Sequence, residues 1–170
     1  MLTKREKDYA EVMAWLETGK FDCMVTLTFP ADTLRPKRRM RKPLSDEFAD
    51  ACLGKMVSRY MRKTRPRKSK IKIIMAPFRE RTSLGEPHFH ILFRLGEDVE
   101  ASKTLLRDIW VNVAPGVTGD PHEHDRTGEK WFLEITNPED RRRVIQYVID
   151  GNIHLDGLVD KYTHLDPVNE

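Results

Sequence analysis

The sequence contains no long hydrophobic run. Even the short apolar stretch Ile71–Ile74 is interrupted by Lys72, whereas a membrane-spanning helix needs about 20 predominantly apolar residues. We therefore expect no transmembrane helix and no membrane partner. The first 15 residues are charged and lack an apolar segment of the signal-peptide type, so no secretory signal is expected. Both absences favour a cytoplasmic protein.

Cysteine is also scarce. Cys23 and Cys52 are the only two, and they form no CxxC pair. In a protein that is not secreted, we expect both to be free, reduced core residues. With 39% hydrophobic and 34% charged residues, the chain is neither fibrous, collagen-like nor fully disordered. Its 170 residues fit one globular domain with its own core.

The net charge of +3 is small, but the charges are unevenly distributed. From Arg35 to Lys70 there are 14 Lys and Arg against three acids, a local balance of +11, whereas from Val148 to Glu170 the balance is −4. The basic residues form two clusters, at 35–42 and 62–70, on either side of an amphipathic helix. Such clusters attract phosphate backbones, although a charge run can also be a solvated surface.

Hydrophobic periodicity predicts eight elements in the order α-β-α-β-β-α-β-α. Two consecutive strands form a hairpin with a turn at 80–86, and helices separate the others. This order predicts an α+β fold, in which helices flank an antiparallel sheet of four to five strands. The helices are expected at 3–19, 45–63, 98–113 and 137–150, and the strands at 21–29, 70–78, 87–95 and 131–136.

Local signals predict how these elements begin and which faces they bury. Ser45 and Asn137 are suitable N-caps, and Gly151 can end the last helix. In the first strand, the odd-numbered residues, such as Val25, share one face, and the even-numbered residues, such as Thr26, share the other. The second helix has an apolar stripe that we expect to be buried: Phe48, Ala49, Cys52, Leu53, Met56, Val57 and Tyr60.

The pair His88 and His90 is the sharpest chemical feature. Residues i and i+2 of a strand point to the same face, so both imidazoles converge and can bind a divalent cation. A pair of surface histidines is the alternative interpretation. A third ligand would come from Glu80, at the end of the preceding strand, or from Glu86, in the turn. Two histidines and a carboxylate leave coordination positions open, which suits a catalytic ion.

A second HxH pattern occurs at His122-Glu123-His124. It lies in a segment rich in Gly, Pro and Asp, with no flanking apolar strand to hold its geometry. We interpret it as a solvated loop.

Tyr147 lies on the helix that follows the last strand. A tyrosine on an amphipathic helix usually belongs to the core or its boundary. Next to a metal-binding sheet, its phenol is also a candidate nucleophile for phosphoryl transfer. Arg141, Arg142 and Arg143 on the same helix are suitable for holding phosphate oxygens.

Three segments together resemble the motifs of the HUH replication initiators and related relaxases. TLTF at 26–29 resembles their motif 1, and PHFHILF at 87–93 resembles motif 2, the His-hydrophobe-His strand. RRVIQYVID at 142–150 resembles motif 3, the helix that carries a tyrosine. The order and spacing of the three also match.

The resemblance implies a domain organisation. Residues 21–152 would form an HUH endonuclease domain with a ferredoxin- or RRM-like sheet, preceded by an N-terminal helix at 1–20. Residues 153–170 would be an acidic tail of the same single domain.

The resemblance also implies roles for individual residues. His88, His90 and Glu80 would bind Mg²⁺ or Mn²⁺. Tyr147 would attack a DNA phosphate and form a 5′-phosphotyrosine with a free 3′-hydroxyl; Tyr162 is a weaker nucleophile candidate. The residues expected to bind DNA are Thr26, Thr28, Arg142 and Arg143, together with Lys37, Arg38, Arg39, Arg65, Arg67 and Lys68 of the basic clusters.

One residue departs from the family pattern. Asp150 stands three residues after Tyr147, where the family often has lysine. This acid would repel a phosphate unless it faces the metal, and Arg143 is the candidate to replace the missing positive charge.

The leading hypothesis is a metal-dependent tyrosine endonuclease that nicks single-stranded origin DNA to initiate rolling-circle replication. The sequence has no GxxxxGK[ST] phosphate loop, so a separate helicase and host replication proteins would be partners. A mobilisation relaxase or a transposase would use the same chemistry. A non-catalytic nucleic-acid-binding α+β module and, last, a metal hydrolase of small substrates remain alternatives.

Overall fold

The computed structural model describes residues 4–29, 44–64, 74–82, 85–95, 98–122, 130–151, 157–159, 161 and 163. It contains helices and an antiparallel sheet in the predicted order, which confirms the α+β fold class. No described helix is both long and apolar enough to cross a membrane. The helices are α1 (Lys4–Glu17), α2 (Asp46–Thr64), α3 (Val99–Val111) and α4 (Pro138–Asp150), and the strands are β1 (Cys23–Thr28), β2 (Ile74–Arg81), β3 (Pro87–Arg94) and β4 (Phe132–Glu134).

The four strands form one sheet in the order β2-β3-β1-β4, and all neighbours are antiparallel. β2 and β3 are the predicted hairpin. β1 is central and pairs with β3 on one side and with β4 on the other. The middle of the sheet is therefore built by β1 and β3, the two strands that carry the polar positions singled out in the sequence.

Helices cover both faces of the sheet, because both faces carry apolar side chains. On one face, Phe89 and Phe93 of β3 pack with Trp110 of α3 and the buried stripe of α2. On the other face, Leu92 of β3 packs with Ile145 of α4 and with residues of α1. Burial of each large apolar side chain contributes about 1.5–3 kcal/mol, so the two helix pairs fix the sheet from both sides.

Side chains cap the helices as the sequence indicates. Ser45 Oγ accepts a hydrogen bond from the backbone N–H of Phe48, 3.2 Å away. Asn137 Oδ1 accepts one from the N–H of Asp140 at 2.8 Å, with Pro138 in the first turn of α4. Asp98 caps α3 in the same way through the N–H of Ala101. Each cap satisfies a backbone donor that the helix itself leaves unpaired.

The structure corrects one position of the α2 stripe. Phe48 was expected to be buried, but it is 39% exposed. It lies in the first turn of α2, at the margin of the core, and its ring packs at a tilt against that of Phe29, with 6.5 Å between centroids. The other six members of the stripe are buried.

The boundary of β2 also differs from the expectation. The strand continues to Arg81, so Glu80 lies within it and not in the turn. Two interactions account for the extension. The pairing with β3 continues to Arg81 opposite Pro87, and Arg79, on the α2 face of β2, forms ion pairs with Asp46 and Asp50.

Part of the acidic tail belongs to the sheet. Residues 157–159 run along the outer edge of β2, where a bridge joins Leu158 to Phe78. The N–H of Arg79 donates to the carbonyl of Gly157 at 2.6 Å, and the N–H of Val159 donates to the carbonyl of Pro77 at 2.9 Å. The sequence predicts only a polar, acidic tail here, because the paired length is too short to show a strand pattern.

We predict that the thiols of Cys23 and Cys52 are unreactive in the folded protein. Both are free and buried, and burial raises the pKa of both thiols, that of Cys23 strongly, so little reactive thiolate is present at neutral pH. A chromogenic thiol reagent should label neither cysteine in buffer and both in denaturant. Rapid labelling of the native protein would contradict this packing.

Candidate metal centre and neighbouring tyrosine

The strand register brings Glu80, His88 and His90 together. Glu80 of β2 lies directly opposite His88 of β3, and His90 follows His88 on the same face of the sheet. The Oε2 atom of Glu80 is 3.5 Å from His88 Nε2 and 3.6 Å from His90 Nε2. The two Nε2 atoms are 3.1 Å apart. Three potential ligand atoms therefore converge on one point.

These distances suit a single divalent ion. With ligand bonds of about 2.1 Å, two ligands of one ion lie about 3.0–3.4 Å apart. One ligand atom from each residue falls within 4.8 Å of the others, and the side chains are 4% to 23% exposed. The cluster can therefore hold a metal ion, as the sequence predicted.

Thr26 orients His90. Its side-chain oxygen lies 3.1 Å from His90 Nδ1, and the two residues are paired across β1 and β3. When Nδ1 donates its proton to Thr26, Nε2 keeps its lone pair for an ion. Thr26 is only 2% exposed, so its position fits this supporting role better than the direct DNA contact expected from the motif.

His88 has an unusual environment. Its Nδ1 atom is buried and has no hydrogen-bond partner among the described residues. A buried polar atom without a partner destabilises the fold, so the Nδ1 atom does not account for a histidine at this position. The Nε2 atom of the same ring is directed at Glu80 and His90. This contact accounts for a histidine at the position. Thr28 lies opposite His88 in the register, half-buried beside the cluster.

The alternative ligands lie elsewhere. Glu86 is buried in the hairpin connection, where its Oε2 accepts a hydrogen bond from the N–H of Leu44 at 3.2 Å. It is not part of the cluster. In the second HxH pattern, His122 packs edge-to-face on Trp131, with 5.5 Å between ring centroids. Residues 123–124 are outside the described part of the chain.

Tyr147 lies beside the cluster. Its ring packs edge-to-face on His90, with centroids 5.4 Å apart, and 49% of the residue is exposed. The geometry of α4 explains this position. The helix buries Val144, Ile145, Val148 and Ile149 on the sheet, so Tyr147 lies at the edge of the buried stripe, over His90. A phenol is thus held next to the candidate ligands while remaining accessible.

A pocket of about 360 Å³ opens next to Tyr147. It lies between α4 and strands β1 and β4. Its lining includes Thr26 and His90, so it adjoins the metal cluster. The lining residues are Met24, Thr26, His90, Lys130, Leu133, Arg143, Val144 and Tyr147.

The arginines of α4 point in different directions. Arg143 lines the pocket and also pairs with Glu139, 2.6 Å away on the exposed surface. Arg142 pairs with Glu17 of α1 at 2.9 Å, and Arg141 donates to the carbonyl of Phe21. Of the three, the structure brings Arg143 to the pocket. The basic-cluster positions Lys37, Arg38, Arg39, Arg65, Arg67 and Lys68, as well as Tyr162, lie outside the described residues.

Asp150 faces α1, not the metal cluster. Its Oδ1 accepts a hydrogen bond from the Tyr9 hydroxyl at 3.3 Å. Burial, followed by the charge of Asp150, raises the pKa of Tyr9, so the phenol remains a donor at neutral pH. This bond joins the middle of α1 to the C-terminal end of α4, two helices that pack against each other.

Gly151 is a site residue that sequence reasoning assigned only to ending the helix. A Cβ atom at this position would lie 2.6 Å from Glu80 Oε1, inside van der Waals contact. The φ of −73° is open to any residue, so the requirement is for space and not for backbone freedom. Gly151 and Glu80 are distant in sequence, and no local signal indicates their contact.

Comparisons with known proteins found no matching family model, curated protein or solved structure. The assignment of the site therefore depends on the geometry described above.

We predict that the cluster binds one divalent cation per chain. Replacing both His88 and His90 with Ala, or Glu80 with Gln, removes ligands and should weaken binding of Mn²⁺ by at least about tenfold. Isothermal titration calorimetry measures this directly. His122→Ala is the matched control and should bind like the wild type. Equal affinities for all four proteins would contradict the site.

We also predict that Gly151→Ala displaces Glu80 and weakens Mn²⁺ binding by about tenfold or more, the range found when supporting residues are changed. The backbone accepts Ala, which should leave the free energy of unfolding unchanged or slightly raised. Gly54→Ala, in α2 on the opposite face of the sheet, is the control. Unchanged metal affinity in Gly151→Ala would show that Glu80 does not need this space.

Proposed function

We propose that the protein is a site-specific single-stranded DNA endonuclease and strand transferase that nicks an origin to initiate rolling-circle replication. One observation carries the proposal: an accessible tyrosine, Tyr147, packs on His90, which belongs to a His-His-Glu cluster able to hold a metal ion. Phosphodiester transfer needs a nucleophile and a site for an electrophilic metal. Here the two are adjacent, because the tyrosine ring contacts a candidate ligand of the metal.

The reaction is a transesterification. The Tyr147 oxygen attacks the phosphorus and forms a Tyr–O–P bond, and the phenol proton is released. The bond between phosphorus and the 3′-oxygen breaks, and that oxygen takes up a proton to become a free 3′-hydroxyl. The DNA 5′-phosphate then remains on the protein. Because one phosphodiester replaces another, the reverse attack by a 3′-hydroxyl reseals the strand.

The metal in this proposal is Mg²⁺ or Mn²⁺, held by His88, His90 and Glu80. When bound, it stabilises negative charge on the phosphate oxygens. Manganese suits this donor set well, since imidazole and carboxylate are both among its ligands. Thr26 keeps His90 in the tautomer that the ion needs.

The charges around the tyrosine suit an anionic substrate. Arg143 and Lys130 line the pocket next to Tyr147 and attract a phosphate backbone. Asp150 is hydrogen-bonded to Tyr9 on the α1 side, and Arg143, one turn before Tyr147, supplies a cation in place of the family's lysine. The clusters at 35–42 and 62–70 add positive charge in the same chain, and a separate helicase would supply unpaired DNA.

The nucleophile is tested with single-stranded DNA of randomised sequence and Mn²⁺. We expect a covalent adduct that survives denaturing electrophoresis and contains the 3′-labelled fragment, while the 5′-labelled fragment ends in an extendable 3′-hydroxyl. Tyr147→Phe should abolish the adduct. Tyr60→Phe is the matched control: Tyr60 is buried on the opposite face, where its hydroxyl bonds to Ser102, and its loss should leave the adduct unchanged.

Other outcomes separate the alternatives. Salt-sensitive DNA binding with no adduct in Mn²⁺ or Mg²⁺ would overturn the proposal in favour of a non-catalytic binding module. If Tyr147→Phe still forms the adduct and Tyr162→Phe does not, the nucleophile is Tyr162 and not Tyr147. A relaxase or transposase would give the same adduct, so the recovered nick site is then placed on a supercoiled plasmid with a helicase and polymerase. Displaced unit-length single strands support initiation of replication.

A further inference from the structure

The pocket beside Tyr147 combines two kinds of lining that the nicking chemistry alone does not require. Its walls include the apolar side chains of Met24, Leu133 and Val144. Its lining also includes two cationic residues, Lys130 and Arg143. Such a pocket matches a ligand with a flat apolar part and an attached anion, which is the composition of a nucleotide.

Exposure of apolar side chains supports a ligand on this surface. Leu133 is 37% exposed and Tyr147 is 49% exposed, although both are large hydrophobic residues. Leu133 lies on the short strand β4 with its side chain toward the pocket, while its neighbour Phe132 is buried in the core on the opposite face. Apolar surface grouped around a pocket in this way is available for contact with the apolar part of a ligand.

The position of the pocket defines which nucleotide it would take. His90 contributes to the metal cluster and to the pocket, and Tyr147 stands at their boundary. A phosphate held between the cluster and Tyr147 therefore has its adjoining nucleotide next to the pocket. A base can turn into a pocket beside the strand only when it is unpaired.

We propose that this pocket binds the base of one unpaired nucleotide next to the scissile phosphate, with Lys130 and Arg143 on its phosphate, and that it contributes to the choice of nick site. This inference rests on the proposed function for the identity of the strand. The binding itself is independent of nicking. The minimal ligand of the pocket is a mononucleotide. Nucleotide binding and DNA nicking can therefore be refuted separately.

The test measures binding of the four deoxynucleoside 5′-monophosphates to the full chain in EDTA, by nuclear magnetic resonance titration. We expect at least one mononucleotide to bind more tightly than its nucleoside and than inorganic phosphate, because only the nucleotide uses both parts of the lining. Leu133→Ala should weaken that binding by about fivefold. Arg143→Gln should weaken it by a similar factor at low salt and less at high salt.

Trp15→Ala is the matched control, since Trp15 is 40% exposed on α1 and does not line the pocket; its affinity should equal that of the wild type. The proposal is overturned if Leu133→Ala behaves like Trp15→Ala, or if inorganic phosphate binds as tightly as every mononucleotide. Mononucleotide binding without any covalent adduct in Mn²⁺ would support the pocket and refute the nicking function. If wild type and Leu133→Ala form the adduct equally well on every sequence, the nicking function is supported and the role of the pocket in choosing the nick site is refuted.

Discussion

The pairing of Glu80 with His88 across the β2-β3 hairpin is the constraint on which the site depends. In an antiparallel ladder, directly opposite residues share a face, so this register places a carboxylate beside an imidazole without any loop to position it. His90, two residues further along β3, then points the same way. A shift of the hairpin by one residue would turn Glu80 to the opposite face, where α2 packs, and leave the histidines without their acid.

The second requirement is the packing of α4 over the same face. Its buried residues fix the rotation of the helix, and that rotation places Tyr147 on His90 and Arg143 at the pocket. Contacts with α1 hold α4 from the other side through Tyr9 with Asp150 and through Glu17 with Arg142. Residues that resemble phosphate contacts in sequence thus divide between two tasks: Arg143 faces the site, and Arg142 secures the helix.

The sequence predicted the fold class, the order of the elements and the shared face of His88 and His90, because strand alternation and hairpin connectivity are local properties. It left Glu80 and Glu86 as alternatives, since choosing between them requires the register in which β2 pairs with β3, and the sequence pattern does not fix that register. The tasks of Thr26 and Gly151 were missed for the same reason. Thr26 acts through a strand 64 residues away, and Gly151 matters for the side chain it lacks. Phe48 shows the converse error, because helical periodicity predicts a face but not where the core ends.

The segment at 157–159 has a consequence for how this sheet meets other molecules. By hydrogen bonding to Pro77 and Arg79, it occupies the outer edge of β2, the strand that carries Glu80. An unoccupied strand edge invites another extended chain to add itself to the sheet. Here the chain covers part of that edge with its own backbone, next to the candidate metal ligand Glu80. Within the described residues, the opposite border is formed by the three residues of β4 next to the pocket. Among the described residues, the two borders of the sheet therefore differ: 157–159 cover the Pro77–Arg79 part of the β2 edge, whereas no described strand pairs with the outer edge of β4, on the side where the pocket opens.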